Sequence, residues 1–261
     1  MAERTALEAH LRTVRHGGRK LLVPYVTGGL GDDWTEVVRA FAAAGADAIE
    51  VGIPFSDPVM DGPTIQEASE RALAQGATLA AILTALRDVD AGVPLVAMTY
   101  VNLVFHAGYE RFAAEAVAAG LAGVILPDLP LEEVGEWQPH GDAAGLATVQ
   151  LASPLSPDDR LVALCERSQG FVYGVNLLGV TGERTELASS STVLAKRLKA
   201  VTDLPVVMGF GIATPEQAVA AAEHADGVVV ASALMRARLD GATPEQLGDR
   251  VAAFRAALDR G

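Results

Sequence analysis

Short runs of valine, isoleucine, leucine and alanine alternate along the chain with longer amphipathic segments. The apolar residues in each run are continuous rather than every second one, which is typical of parallel strands covered on both faces. In the segments between the runs, apolar residues recur at helical spacing. The predicted strands are residues 21–27, 46–53, 95–99, 123–126, 147–151, 171–175, 205–208 and 227–230. The predicted helices are residues 1–19, 34–44, 64–74, 78–89, 109–119, 132–144, 157–167, 192–201, 215–223, 233–239 and 244–258.

The order of these elements predicts a strand–helix unit that occurs eight times. No shift in composition and no Pro/Ser-rich linker divides the 261 residues, and about 250 residues is the usual size of a single α/β barrel. We therefore expect one (β/α)8 TIM-barrel domain over residues 1–261, with an extra N-terminal helix. A doubly wound open sheet is the alternative. Thr64 and Thr78 are candidate N-caps of the two helices after the second strand.

Two carboxylates fall near the end of the second predicted strand. Glu50 lies inside the apolar run 46–53, and Asp61 lies in the loop after it, which is rich in proline, glycine and aspartate. The chemistry of α/β barrels gathers at the C-terminal ends of the strands, where two carboxylates in different environments can take separate acid and base roles. The alternative is that Glu50 is a partnered core carboxylate and that Asp61, like Asp57, only forms a turn.

Further side chains from the strand ends are expected to converge on the same mouth of the barrel. They are Tyr25, Thr27, Tyr100, Asn102, Asp128 and Tyr173. Segments of glycine or small residues follow the last three strands, at residues 179–182, 209–211 and 231–232. Glycines let backbone N–H groups approach an anion, and a helix N-terminus adds a favourable dipole. Together these segments predict a phosphate site.

The composition narrows the classes of partner. The chain has 20 basic and 33 acidic residues, a net charge of −13 and no basic run, which argues against nucleic acid or an anionic membrane as a partner. Half of the residues are hydrophobic and the mean hydropathy is +0.28, so a large core is available. No apolar run approaches the ~20 residues of a membrane span, and the N-terminus has no signal-peptide hydrophobic region. We therefore expect a soluble, cytoplasmic protein.

The inventory of reactive side chains narrows the chemistry. The lysines are Lys20, Lys196 and Lys199, and none of them is expected at a strand C-terminus, so a Schiff-base aldolase is disfavoured. The five histidines have no metal-ligand spacing, which disfavours a metal-dependent aldolase. The single cysteine, Cys165, is predicted to be a packed small hydrophobe. Acid–base chemistry by carboxylates, on a phosphorylated substrate and without a cofactor, remains.

The stretch of sequence that carries the two carboxylates resembles the signature of a known family. Residues 49–58 read Ile-Glu-Val-Gly-Ile-Pro-Phe-Ser-Asp-Pro, and residues 61–66 read Asp-Gly-Pro-Thr-Ile-Gln. This sequence is similar to that of the tryptophan synthase α subunits. Further segments match in register over nearly the whole chain, at residues 24–27, 102–105, 127–130, 179–182 and 209–212.

The resemblance implies retro-aldol cleavage of indole-3-glycerol phosphate to indole and glyceraldehyde 3-phosphate. It implies that Glu50 transfers protons at C3 of the indole and at the glycerol hydroxyl, and that Asp61 accepts the indole N–H. The implied substrate-binding residues are Tyr25, Tyr100, Ile125, Tyr173, Thr181 and Phe210, and the implied phosphate-binding residues are Gly182, Gly211, Ala231 and Ser232. Thr181 matches a residue of a loop that closes over the substrate. The resemblance also implies a pyridoxal-phosphate-dependent β subunit, docked on the mouth loops that include residues 54–58.

Some positions depart from the family pattern. They are residues 28–31 after the first strand, Leu177 and Leu178 before the closing loop, and Ala231 in place of a glycine. Several alternatives stay open. The chain can be a stand-alone lyase that releases indole, or a weakly active homologue that binds and activates a partner enzyme. It can also be another phosphate-binding barrel, such as an isomerase or a prenyl-glyceryl-phosphate-type synthase.

Overall fold

Eight parallel strands close into a barrel in the order in which they follow one another along the chain. The computed structural model describes residues 5–175, 184–209 and 211–261, with the side chains of residues 184–190 excepted. The strands are β1 Leu21–Thr27, β2 Ile49–Gly52, β3 Leu95–Met98, β4 Leu121–Ile125, β5 Ala147–Ala152, β6 Val172–Val175, β7 Val206–Gly209 and β8 Gly227–Val230. The closed order confirms the (β/α)8 barrel and rules out the open sheet.

The helices in the described part of the chain surround this barrel. They are α1 Ala6–His16, α2 Trp34–Ala43, α3 Pro63–Ala74, α4 Leu79–Leu86, α5 Val101–Ala107, α6 Tyr109–Ala118, α7 Val134–Ala144, α8 Asp158–Arg167, α9 Arg184–Val201, α10 Pro215–Ala222, α11 Ser232–Leu239 and α12 Pro244–Leu258. Over the same residues, no helix is long and apolar enough to cross a membrane.

Helix α1 is the extra N-terminal helix, and it closes one end of the barrel. Its Leu7 and Leu11 are fully buried and belong to the same hydrophobic cluster as interior residues of the strands. A Cβ at Gly170, in the turn before β6, would overlap the Leu7 side chain. Since Gly170 precedes its strand, α1 packs at the N-terminal end of the barrel and leaves the C-terminal mouth open.

Most predicted boundaries agree with the structure to within a few residues, and the exceptions have local causes. Helix α3 begins at Pro63 with Gly62 as its N-cap, so the predicted cap at Thr64 is wrong. Thr78 caps α4 as predicted, because its side chain accepts a hydrogen bond from the Ala81 N–H. Helix α9 begins at Arg184 rather than at residue 192. A run of serine and threonine there lowers the intrinsic helix propensity and hides the helix start.

Helix α5 was not predicted. Its first N–H group, that of Val101, donates a hydrogen bond of 2.9 Å to the Asp128 carboxylate in the loop after β4. Gly108, with a φ of 86°, then separates α5 from α6. Asp128 therefore fastens the loop after β3 to the loop after β4. A cap that comes from a distant part of the chain leaves no local sequence signal.

Two glycines in the strands make room for tyrosine side chains at the mouth. A Cβ at Gly52 on β2 would overlap the hydroxyl of Tyr25, and a Cβ at Gly209 on β7 would overlap the ring of Tyr173. Tyr25 is 4% exposed and Tyr173 is 6% exposed. Each tyrosine thus lies across the neighbouring strand, which fixes where its hydroxyl points.

The close approach of Tyr25 to Gly52 gives a stability test. We expect Gly52→Ala to lower the free energy of unfolding by about 1–3 kcal/mol, because the added methyl group overpacks the barrel mouth. Gly135→Ala in α7 is the matched control, since a Cβ there meets open space. Denaturant unfolding measures both. Equal stability of Gly52→Ala and the unmodified chain would show that Tyr25 is not held against β2.

Candidate active site

A cavity of about 150 Å³ lies at the C-terminal ends of the strands, and every strand or the loop after it contributes to its wall. Its lining residues are Tyr25, Glu50, Met60, Asp61, Gly62, Ile65, Met98, Pro127, Leu151, Tyr173, Val175, Gly209 and Ala231. The wall is mostly apolar, with two carboxylates and two phenols. Such a cavity suits a ligand that is largely apolar and carries a few polar groups.

Glu50 projects from β2 into this cavity. It is 1% exposed, and no other group in the described part of the chain forms a hydrogen bond with its Oε2 atom. Burial raises the pKa of Glu50 from 4.5 to about 8, and the negative charge of Asp61 adds to the shift. Because loss of solvation disfavours the charged form, Glu50 is protonated at neutral pH.

Asp61 lies in the loop between β2 and α3, and the loop itself holds it in place. Its N–H donates to the Pro58 carbonyl at 3.0 Å, and its carbonyl accepts from the Gln66 side-chain amide at 2.9 Å. Burial raises the pKa of Asp61 to about 6, while a hydrogen bond from the Tyr100 hydroxyl acts in the opposite direction. Asp61 is therefore mainly ionised at pH 7, whereas Glu50 keeps its proton.

Tyr100 connects this loop to the end of β3. Its hydroxyl donates to Asp61 Oδ2 at 3.2 Å and accepts from the Met60 N–H at 2.9 Å. Its ring stacks on Phe55 with a centroid separation of 5.1 Å. Burial and the charge of Asp61 raise the pKa of Tyr100, so the phenol stays neutral and remains a donor. This hydrogen bond sets the position and the basicity of Asp61.

Tyr25 and Tyr173 complete the polar part of the cavity. Tyr25 lies opposite Glu50 in the β1–β2 register, and its hydroxyl accepts a 3.4 Å hydrogen bond from the Thr27 hydroxyl. Burial is the main cause of a raised pKa in both tyrosines, and the nearby carboxylates add to it. Both phenols are therefore neutral.

The structure thus brings together most of the expected site residues that it describes. Glu50, Asp61, Tyr25, Tyr173 and Ala231 line one cavity, and Tyr100 contacts it through Asp61. Asp57 does not take part, since it is exposed and accepts a hydrogen bond from the neighbouring Ser56.

Besides Tyr100, three residues expected at the substrate or phosphate site do not line the cavity: Ile125, Gly211 and Ser232. Ile125 pairs in register with Val149, two residues before the cavity-lining Leu151, so it lies one layer deeper in the barrel. Gly211, with a φ of 53°, follows β7, and Ser232 is the first residue of α11. Gly211 comes two positions after the lining residue Gly209, and Ser232 directly follows the lining residue Ala231. The expectations for Thr181, Gly182 and Phe210, and the departures at Leu177 and Leu178, fall outside the described residues.

Sequence reasoning missed the apolar part of the wall. Met98, Leu151 and Val175 all line the cavity, and each is the last or nearly the last inward-facing residue of its strand. Side chains alternate between the two faces of a strand. Counting by two from Val96, Val149 or Tyr173 would therefore have identified each of them.

The departure at residues 28–31 is accommodated by an ordered turn. Gly29 and Gly31 have φ angles of 78° and 83°, and the Gly31 N–H donates to the Gln75 side chain at 2.8 Å. The glycines therefore permit a tight turn that α3 braces through Gln75.

Among the described residues, no group of three His, Cys, Asp or Glu side chains could hold a metal ion.

Comparison with known proteins identifies the family. The family model described as tryptophan synthase alpha chain matches residues 11–259. The chain belongs to the tryptophan synthase alpha chain family. It is 47% identical to the tryptophan synthase alpha chain of Geobacter sulfurreducens over 251 residues, which cover 94% of each chain. It is 41% identical to that of Thermobifida fusca over 263 residues, which cover 98% of this chain and 97% of the relative.

Solved structures of tryptophan synthase alpha chains share the fold. The alpha subunit from Legionella pneumophila superimposes with a TM-score of 0.90 at 33% identity, covering 99% of this chain and 100% of that one. A chain of Mycobacterium tuberculosis tryptophan synthase gives a TM-score of 0.91 at 37% identity, with coverage of 99% and 100%. The protein is thus a carbon–carbon lyase of tryptophan biosynthesis that cleaves indole-3-glycerol phosphate.

The burial of Glu50 gives a test that does not depend on turnover. Glu50 ionises near 4.5 when unfolded and near 8 when folded, so it makes the folded state progressively less stable as the pH rises from 4.5 to 8. Glutamine cannot ionise. Above pH 8 we expect the free energy of unfolding of Glu50→Gln to exceed that of the unmodified chain by on the order of 2 kcal/mol or more. The variant should therefore unfold at a higher temperature.

This advantage of Glu50→Gln shrinks as the pH falls toward 5. Glu110→Gln, at an exposed position of α6, is the control and should show no such trend. Thermal unfolding between pH 5 and pH 9 measures the difference. A constant difference between Glu50→Gln and the unmodified chain over that range would mean that Glu50 is already ionised in the folded protein.

Proposed function

We propose that Glu50 and Asp61 divide the acid–base chemistry of indole-3-glycerol phosphate cleavage between them. One observation carries the proposal: two carboxylates line the same cavity, and their pKa values of about 8 and about 6 lie on opposite sides of neutrality. Pairs of titratable groups whose environments separate their pKa values are suited to distinct acid and base roles. Glu50 is then the proton donor, and Asp61 is the acceptor.

The first step is proton transfer to carbon. Protonated Glu50 donates its proton to C3 of the indole ring, and positive charge develops on the ring nitrogen. The Asp61 carboxylate accepts the N–H of that nitrogen and stabilises the charge. In an apolar cavity this interaction is stronger than in water, because less solvent screens it.

The second step breaks the carbon–carbon bond. The Glu50 carboxylate, now ionised, takes the proton from the hydroxyl on the carbon attached to C3. The O–H electrons form the aldehyde carbonyl, and the electrons of the broken bond return to the ring and neutralise the nitrogen. Indole and glyceraldehyde 3-phosphate leave, and Glu50 has its proton again. The ring is the electron sink, so this sequence uses no imine and no cofactor.

The phosphate group belongs at the ends of β7 and β8 in this proposal. Backbone N–H groups of Gly211, Ala231 and Ser232 are the expected donors, together with that of Gly182. Supporting this placement, Gly209 and Ala231 line the cavity and α11 begins at Ser232. A helix N-terminus offers free N–H groups and a favourable dipole to an anion.

The remaining substrate contacts are assigned to Tyr25, Tyr100, Tyr173, Ile125, Thr181 and Phe210. Tyr25 and Tyr173 face the cavity directly, and Tyr100 acts on Asp61. Ile125 supports the floor of the cavity from the layer below, which differs from the direct substrate contact that the resemblance implied.

The partner is proposed to be a pyridoxal-phosphate-dependent β subunit, bound at the mouth of the barrel in the cytoplasm. Large apolar side chains are exposed in segments that follow three different strands: Val59 is 78% exposed, Phe105 is 67% exposed and Leu155 is 69% exposed. All three lie at the cavity end of the barrel. Exposed apolar groups collected on one face favour a protein partner, and the net charge of −13 disfavours nucleic acid.

Indole release tests the function. We expect the chain to release indole from indole-3-glycerol phosphate, and to do so faster when a β subunit from a related tryptophan synthase is added. Glu50→Gln should lower kcat by at least 10²-fold, since a positioned acid–base group typically contributes 10²–10⁴-fold. Glu110→Gln on α6 serves as the control and should retain the kcat of the unmodified chain.

The outcomes separate the alternatives. Unchanged turnover on addition of the β subunit would identify a stand-alone lyase. No turnover by a folded chain under either condition would remove the enzymatic proposal. Near-normal kcat for Glu50→Gln would show that Glu50 is a structural carboxylate.

The pH dependence of kcat/KM tests the two roles separately. For the free enzyme, kcat/KM should rise as Asp61 ionises around pH 6 and fall as Glu50 loses its proton around pH 8. The acidic limb should be absent from any residual activity of Asp61→Asn. A profile that is flat from pH 5 to pH 9 would contradict the assignment of both residues.

A further inference from the structure

Tyr25 lies on β1, between the strand that carries Glu50 and the strand that ends at the proposed phosphate site. Strand β1 pairs with β2, where Tyr25 lies opposite Glu50. On its other side β1 pairs with β8, and Pro24 lies opposite Val230. One residue further along both strands, Tyr25 lies beside Ala231. Tyr25 therefore stands between the proton-transfer residue and the proposed phosphate site.

The hydroxyl of Tyr25 has an unused proton. It accepts a hydrogen bond from the Thr27 hydroxyl at 3.4 Å, which occupies a lone pair of the oxygen and leaves the phenolic O–H free to donate. Within the described residues, no acceptor receives that proton. Burial and the negative charge of Asp61 raise the pKa of Tyr25, so the proton stays in place.

The position of the hydroxyl is fixed by packing. It lies against Gly52, where a Cβ would overlap it, and the ring is 4% exposed. The ring cannot swing away without vacating a buried site. A fixed, neutral donor that faces a small cavity can distinguish a ligand that carries an acceptor from one that lacks it.

The glycerol chain has to cross this position. With the phosphate placed at the end of β8 and the reacting carbon placed beside Glu50 on β2, the middle carbon passes over the Tyr25 side chain, whose hydroxyl lies against Gly52. We propose that the Tyr25 hydroxyl donates a hydrogen bond to the hydroxyl of the middle glycerol carbon, the one that does not react. Tyr25 thereby selects substrates that carry this hydroxyl. The inference rests on the proposed function, because it uses the proposed places of the phosphate and of Glu50.

A cycle of two proteins and two substrates tests the contact. The proteins are the unmodified chain and Tyr25→Phe, which keeps the ring and removes only the hydroxyl. The substrates are indole-3-glycerol phosphate and its analogue without the middle hydroxyl, which can still undergo retro-aldol cleavage because the reacting hydroxyl remains. Indole release gives kcat/KM for each of the four combinations.

We expect the unmodified chain to lose about tenfold in kcat/KM on the analogue, the usual scale of one hydrogen bond. Tyr25→Phe should lose a similar factor on the natural substrate and almost nothing more on the analogue. The alkaline limb of its pH profile should stay in place, because the hydroxyl does not serve Glu50. Tyr109→Phe is the matched control on α6, where the ring packs against Trp137, and it should match the unmodified chain.

The results that overturn the inference differ from those that overturn the function. If the unmodified chain releases indole and Tyr25→Phe discriminates equally between the two substrates, the contact does not exist, while the proposed function stands. A shifted alkaline limb in Tyr25→Phe would assign the hydroxyl to Glu50 instead. If Tyr25→Phe does not fold, equal kcat/KM of the unmodified chain on both substrates would still overturn the inference. No indole from either substrate would remove the function itself.

Discussion

The site depends on one carboxyl group, that of Glu50, which is buried in the apolar mouth of the barrel. An ionised carboxylate without a partner costs several kcal/mol in such surroundings, so the group keeps its proton instead. Glu50 meets this condition, because it is 1% exposed and its Oε2 atom has no hydrogen-bond partner among the described residues. The closed barrel makes the burial possible, since its large, rigid core can absorb the cost of one unfavourable side chain. The same cost keeps a protonated carboxyl group in the cavity at neutral pH.

The residues around Glu50 fix the positions of the side chains that line the cavity. Asp61 adds negative charge that favours the protonated form of Glu50, and Tyr100 holds Asp61 through a hydrogen bond of 3.2 Å. Gly52 lets Tyr25 lie across β2 beside Glu50. Together these contacts separate the pKa values of two carboxylates that share one cavity, which is the condition for giving them different roles.

Much of this could be read from the sequence, because the pattern of a parallel barrel is local. The bounds of β1, β8 and α12 were predicted without error, and Glu50 stood out as a charge inside an apolar run. Helix α5 and the hydrogen bond between Tyr100 and Asp61 could not be predicted. Both depend on residues far apart in the chain that meet only after folding. Strand β2 was predicted to begin three residues before Ile49, because the apolar residues around Asp47 resemble a continuation of the strand. In the structure Asp47 instead forms a buried ion pair with Arg255, a residue far away in the chain.

The ionisation of Glu50 in the folded protein is the measurement on which the mechanism depends most directly. Carboxyl ¹³C NMR of glutamate-labelled protein, with Glu50→Gln to assign the signal, reports the protonation state without substrate. We expect the Glu50 carboxyl to be protonated at pH 7 and half ionised near pH 8. A Glu50 signal that is already that of the carboxylate at pH 6 would contradict the assignment of Glu50 as the proton donor.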